Sequence, residues 1–220
     1  MNILTSLRIK VREELNPYFA PYRRRKLLPE NQNFTILSND CWAGHVYRYF
    51  GLPYNTPTIG TGFFAEDYLK FVSNLNYYLN LDLERMDVRD SSHYESIKKG
   101  SPIFLECPYA KLGDIELRFG HYKTFEEAYL KWNKRKERMN LNNLVVKMSE
   151  HNDCTFEILK CFDGLDYQKK LIFTTRDYGL LSQVIYKEYE GKDDIKNGTT
   201  NFRRYINLEN LINGLPFKKY

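Results

Sequence analysis

Asn33-Phe34-Thr35-Ile36-Leu37-Ser38-Asn39-Asp40-Cys41-Trp42 is a short apolar run that opens abruptly into a polar turn. Residues 34–38 combine aromatic and β-branched side chains between polar flanks, as a buried strand does. Residues 41–50 then read as a helix. Asn39 or Asp40 can cap it, because a short side-chain oxygen accepts from the free N–H groups of a first turn. Gly51 and Pro53 end it. A strand passing through a two-residue turn into a helix is the start of a βα unit.

The rest of the chain continues that rhythm. Residues 51–64 hold three glycines and two prolines among aromatics, so they read as a long ordered loop. A helix over 65–79 follows, then a charged irregular stretch over 82–100. Strands are expected at 102–106 and 114–119. Thr124-Phe125-Glu126-Glu127 is a capping-box pattern opening a helix to about Met139. Strand 144–148, helix 155–162 and strand 170–174 alternate closely, with a further strand over 183–189 and a final helix capped by Asn207. This alternation predicts an α/β fold, a mixed or mainly parallel sheet flanked by helices, in a single domain.

Composition agrees. The chain has 220 residues, 42% hydrophobic and 15% aromatic, which supports a sizeable core. Arg8, Lys10, Arg12, Arg23, Arg24, Arg25 and Lys26 face only Glu13, Glu14 and Glu30, so residues 1–32 supply +4 of the formal net charge of +5. The expected organisation is a basic N-terminal leader, 1–32, and an α/β domain, 33–220, that is close to neutral. A near-neutral body argues against nucleic-acid binding. The charges of the leader interrupt every apolar stretch, so it is neither a secretory signal nor a membrane span. A cytoplasmic protein is expected, its leader a solvated or packed N-terminal helix, with an anionic membrane surface as the alternative place for it to lie. Cys41, Cys107, Cys154 and Cys161 are widely spaced and match no zinc pattern, so neither disulfides nor a metal site is expected.

Open α/β sheets bind ligands beyond the carboxyl ends of their strands. Three expected strands leave polar tails there: Ser38-Asn39-Asp40-Cys41, Ser149-Glu150-His151-Asn152-Asp153 and Thr175-Arg176-Asp177. In parallel strands these tails share one edge. Cys41 in the first turn of a helix feels free N–H groups and the positive end of the dipole, which favour thiolate, while the neighbouring Asp40 opposes ionisation. His45 is one turn on; His121 and His151 end other elements, and each is a candidate base. Cys41 can equally be an inert packing residue, and Asn39 and Asp40 with the helix N-terminus can form a polar or anion-binding platform. His93 is expected to be exposed. Gly60-Thr61-Gly62 lacks the context of a dinucleotide fingerprint, and neither a P-loop nor a G-x-S-x-G elbow occurs.

The blocks Phe34 through Gly44, Gly51 through Gly60, Glu66-Asp67-Tyr68, Gly113-Asp114-Ile115-Glu116, Phe119-Gly120-His121-Tyr122, Trp132-Asn133-Lys134-Arg135 and Asn143 through Met148 together resemble the DUF1919 family. Its bacterial members are often labelled exopolysaccharide or capsular polysaccharide biosynthesis proteins. Many of them carry Asn where Asp40 stands, which argues against an obligatory acid–base role for that carboxylate. Residues 39–42 also resemble the Cys-containing strand-to-helix turn of proteins labelled polysaccharide acetyltransferases.

The resemblance implies a part in exopolysaccharide or capsule biosynthesis and carries no reaction with it. The expected function there is a transferase placing an acyl or other small substituent on a saccharide intermediate, and the alternative is a non-catalytic carbohydrate-binding or assembly factor. The expected catalytic set is Cys41, His45, His121 and His151. The expected substrate-binding set is Asn39, Asp40, Trp42, Tyr54, Asn55, Glu150, Asp153 and Arg176, with Arg176 suited to phosphate. The partners implied are a saccharide, a sugar nucleotide or a lipid-linked sugar, and no cofactor is indicated.

Overall fold

A computed structural model describes residues 3–199 and 201–219, with side chains described from residue 14 onward. In chain order the elements are α1 (Ile3–Arg24), β1 (Thr35–Ser38), α2 (Trp42–Phe50), α3 (Ala65–Ser73), α4 (Leu75–Leu79), β2 (Glu84–Met86), α5 (Tyr94–Lys99), β3 (Tyr109–Leu112), β4 (Ile115–Arg118), α6 (Phe125–Lys136), β5 (Leu144–Ser149), α7 (Phe156–Asp163), β6 (Lys169–Thr174), β7 (Gln183–Ile185) and α8 (Leu208–Asn213).

The main sheet has four strands in the order β1-β5-β6-β7, every neighbouring pair parallel. Register places Ser38 beside Lys147 and Ser149 beside Phe173, so the polar tails of β1, β5 and β6 leave from the same edge. A second sheet, β2-β3-β4, is antiparallel. The α/β class with a mainly parallel sheet is therefore as the sequence reads.

Alternation along the strands divides the core in two. Leu37, Val146, Met148 and Ile172 face one way, packing with Tyr68 and Phe71 of α3, Trp132 of α6, Leu159 and Phe162 of α7, and the second sheet. Ile36, Val145, Leu171 and Phe173 face the other way, against Trp42, Val46, Tyr47 and Phe50 of α2 and the C-terminal residues Phe202, Ile206, Leu208 and Leu211. The helix after β1 thus covers one face and the helix after β5 covers the other. Where neighbouring parallel strands send their chains to opposite faces, a crevice opens at their carboxyl ends.

The leader docks on this body. Ala20 is buried, and Leu27 joins the core beside Phe34 and Phe50. A helix end leaves carbonyls without partners and carries partial negative charge. Asn16 donates to Arg48 O, Arg23 to Tyr49 O and Arg24 to Gly51 O, so α1 supplies donors and positive charge to the end of α2. Gly51 has φ 61°, and a Cβ there would come within 2.8 Å of Ala20 Cβ.

Several elements differ from the expectation. Residues 102–105 form a 3-10 turn that starts at Pro102; the strand pairing with β4 is Tyr109–Leu112, directly across the Gly113-Asp114 turn. The long helix over 65–79 breaks at Asn74, whose φ of −135° lies outside the helical range. The stretch 82–100 holds β2 and α5. Residues 187–189 turn into a 3-10 segment, so β7 is short.

Candidate functional site

The floor of the crevice between β1 and β5 is a buried charge pair. Lys147 lies on the same face as Val145, where alternation demands an apolar residue, and its side chain is wholly buried. Its ammonium is 2.6 Å from Asp40 Oδ2 and also donates to Ser149 Oγ, whose hydroxyl lies 3.1 Å from the same carboxylate oxygen. Burial alone would raise the Asp40 pKa, but the charges of Lys147 and His151 and donation from Lys147 and Trp42 N–H bring it below the usual carboxylate range. Burial draws Lys147 below the ordinary lysine value despite the attraction of Asp40.

Two neighbours fix the turn above this floor. Asn39 is fully buried and pairs with the end of β5 through both amide groups: Nδ2 donates to Ser149 O at 3.0 Å and Ser149 N donates to Oδ1 at 2.9 Å. It prolongs the sheet by one side chain. Asp40 Oδ1 accepts from Trp42 N and Ser38 Oγ accepts from Ala43 N. Those first-turn donors are thus already engaged, which corrects the expectation of a free anion-binding platform at the start of α2.

Cys41 follows at the rim, half-buried, and its Sγ lies 2.9 Å from His121 Nε2. His121 comes from the turn after β4, which Gly62 ties to the sheet: Gly62 N donates to Arg118 O and Arg118 N to Gly62 O. A Cβ on Gly62 would sit 3.0 Å from Arg118 Nη2, so glycine makes room for that guanidinium. Burial and then the Asp40 carboxylate push the Cys41 thiol up to about 11, with Arg118, Lys147 and Arg48 pulling the other way. The helix dipole therefore does not deliver a resting thiolate, because desolvation and the adjacent carboxylate outweigh it.

His151 leaves β5 toward the same charges. Burial holds its imidazole below its ordinary value against the attraction of Asp40. Among the described residues its buried Nε2 has no hydrogen-bond partner. The segment near Gly198 closes over the floor: a Cβ on that glycine would lie 2.9 Å from Ser149 Oγ and 3.3 Å from Asp40 Oδ2.

The other sequence candidates separate. His45 lies against Arg48, 3.3 Å away on the same helix, whereas the histidine brought to the sulfur is His121. Trp42 is wholly buried with its ring edge-on to Phe173 and Phe202, so it is a core residue and not a sugar platform. Glu150 is buried and braces the next loop by accepting from Thr175 N and Tyr178 OH. Asp153 is exposed with φ 60°. Arg176 is exposed and donates to Lys192 O. Asn55 bonds Asn33, and Tyr54 packs beside Tyr47 and Arg135.

His93 is not exposed. It is partly buried, stacks on Phe64 at 3.8 Å between ring centroids, and places Nε2 2.9 Å from Asp67 Oδ2. Sequence reasoning missed Lys147, Ser149 and Arg118. A lone lysine inside the apolar run Leu144–Ser149 was the available signal. Among the described residues no group of three or more His, Cys, Asp or Glu side chains is arranged to hold a metal ion.

Comparison with known proteins agrees with the extent of this fold. A protein of Haemophilus influenzae (strain Rd), described only as uncharacterized, is 26% identical over 196 residues, covering 89% of this chain and 87% of that protein. The family model of DUF1919, a domain of unknown function, matches residues 12–214 and so takes in both sheets and the crevice. The chain belongs to the DUF1919 family.

Proposed function

We propose that this chain is a group-transfer enzyme of bacterial surface-polysaccharide assembly, in which Cys41 carries an acyl or similar small substituent on its way to a saccharide hydroxyl. The observation that supports the chemistry is the 2.9 Å approach of Cys41 Sγ to His121 Nε2 at the mouth of the crevice. The saccharide comes from the resemblance of the blocks between Phe34 and Met148 to proteins labelled for polysaccharide biosynthesis.

A thiol with a pKa of about 11 is protonated at neutral pH, so attack requires a base. As Sγ adds to the donor carbonyl, its proton passes to His121 Nε2; collapse expels the leaving group of the donor, which takes that proton. The acceptor hydroxyl then gives its proton to His121 while attacking the thioester, and the departing Cys41 sulfur recovers it. Arg118, the foremost cation acting on this sulfur, favours the negative charge that develops beside it. Lys147, Asp40 and Ser149 act as positioning residues, since Asp40 fixes the first turn of α2 that carries the sulfur.

We also place the protein in the cytoplasm against the inner face of the membrane. No helix among the described residues is long and apolar enough to cross a membrane. Helix α1 buries Ala20 but exposes Leu15, Tyr18, Phe19 and Tyr22 at helical spacing, Tyr18 to 80% and Phe19 to 51%, with Arg25 and Lys26 exposed just beyond its end. An aromatic stripe beside cations suits an anionic bilayer surface.

The test is to incubate the purified chain with an activated acyl ester and map the adduct by mass spectrometry. The adduct is expected on Cys41, absent from Cys41→Ala, and accompanied by catalysed ester turnover. Turnover in Cys41→Ala equal to that of the parent chain would remove covalent catalysis.

A further inference from the structure

A groove outside the crevice carries charge that the fold does not neutralise. Lys131, Lys134, Arg135 and Arg138 stand at helical spacing along α6 and the turn that follows it, and with Tyr54 they line a cavity of about 180 Å³. Among the described residues no carboxylate forms an ion pair with any of these four. Cations in a last helical turn complement the dipole. That accounts for their presence in α6 but not for the way Arg135 is held. Arg135 Nη1 donates to Ile59 O at 3.1 Å and also to Tyr122 OH, and its guanidinium lies 5.3 Å from the centre of the Tyr54 ring. It is a fixed guanidinium at the wall of a groove whose other cations are exposed and free to turn inward.

We infer that this groove binds the diphosphate group of a phosphorylated ligand. Four like charges lining one small space repel each other unless an anion enters. A single carboxylate would neutralise one of them, whereas a diphosphate brings several charges and many acceptor oxygens in a volume that a compact cavity can hold. Guanidinium groups match phosphate oxygens in pairs, and lysines add point charge. The groove is joined to the crevice through Arg135, Tyr122 and the neighbouring His121, yet its occupancy does not depend on Cys41.

The experiment is titration calorimetry of the full chain with inorganic diphosphate, comparing the parent, Lys134→Glu with Arg138→Glu, and a control with Lys99→Glu and Lys160→Glu. The expected result is saturable binding by the parent and the control, at least about tenfold weaker in the groove variant because two charge contacts are lost and reversed. Lys134→Arg should retain binding, and so should Cys41→Ala, which separates this site from the proposed chemistry. A uridine diphosphate sugar and a short isoprenyl diphosphate then distinguish the two sources of the group; tighter binding of either supports the assignment and names the source. The inference is overturned if inorganic diphosphate does not saturate the parent, if both charge-reversed variants weaken equally, or if groove residues govern retention on anionic vesicles without binding diphosphate.

Discussion

The Lys147 ammonium and the Asp40 carboxylate meet at 2.6 Å beneath the mouth of the parallel sheet, with the lysine side chain wholly removed from solvent. Removing one member of a buried pair leaves the other charge without compensation. Lys147→Met should therefore destabilise the chain by about 3–5 kcal/mol, and adding Asp40→Asn should restore part of the loss. Urea unfolding of the single and double variants measures both, and a single variant as stable as the parent would contradict the burial of the pair.

The same carboxylate gives an acid limb. Folded Asp40 titrates below the unfolded value of about 3.9, so its contribution is present above that value and is lost as pH falls through the folded pKa. Asp40→Asn should flatten the fall of the urea midpoint below about pH 4. An unchanged slope would argue that other carboxylates set it.

His93 has the opposite sign. Burial lowers its pKa, but the hydrogen bond and charge of Asp67 raise it more, leaving the folded value above the ordinary one. Its contribution is then complete below about 6.5 and is lost as pH rises through the folded value. Proton NMR of the imidazole should show the raised pKa, and Asp67→Asn should return it toward normal. A His93 titration that ignores Asp67→Asn would break the assignment.

Asn39 joins β1 to β5 through both ends of its amide. Asn39→Leu would leave Ser149 N–H and C=O unpaired in a buried place, at a cost of about 1–3 kcal/mol for each group. Hydrogen exchange at the Ser149 amide should accelerate with the loss of stability, whereas an amide protected as before would mean that Asn39 is not its partner.

These relationships show what the sequence could and could not carry. The strand-to-helix turn at 38–42 and the parallel strands were legible because apolar runs of strand length ended in capping residues. The common edge followed from parallel pairing alone. Pairings between distant segments were not legible: nothing near His93 announced Asp67, and nothing near Cys41 favoured His121 over His45. Asn39, Asp40 and Glu150 looked like ligands for a substrate because polar residues at a strand end usually face solvent. Here the 195–199 segment and the neighbouring strands cover them, and their hydrogen bonds go to the protein itself. Lys147 could have been read, since one cation in an apolar strand demands a buried partner.

The exposed stripe on α1 makes a separate claim about location. Tyr18→Ser with Phe19→Ser and Tyr22→Ser should abolish co-sedimentation with anionic vesicles while leaving the fold intact, because none of these rings is buried. Equal sedimentation of the variant would place the protein away from the bilayer.

The pH dependence of Cys41 acylation in the parent and in His121→Ala tests the reactive pair most directly. With His121 taking the proton, the parent should acylate readily near pH 7. His121→Ala should fall by about 10²- to 10⁴-fold there and recover only as pH approaches the thiol pKa of about 11. Superimposable profiles for the two proteins would show that the histidine does not activate the sulfur.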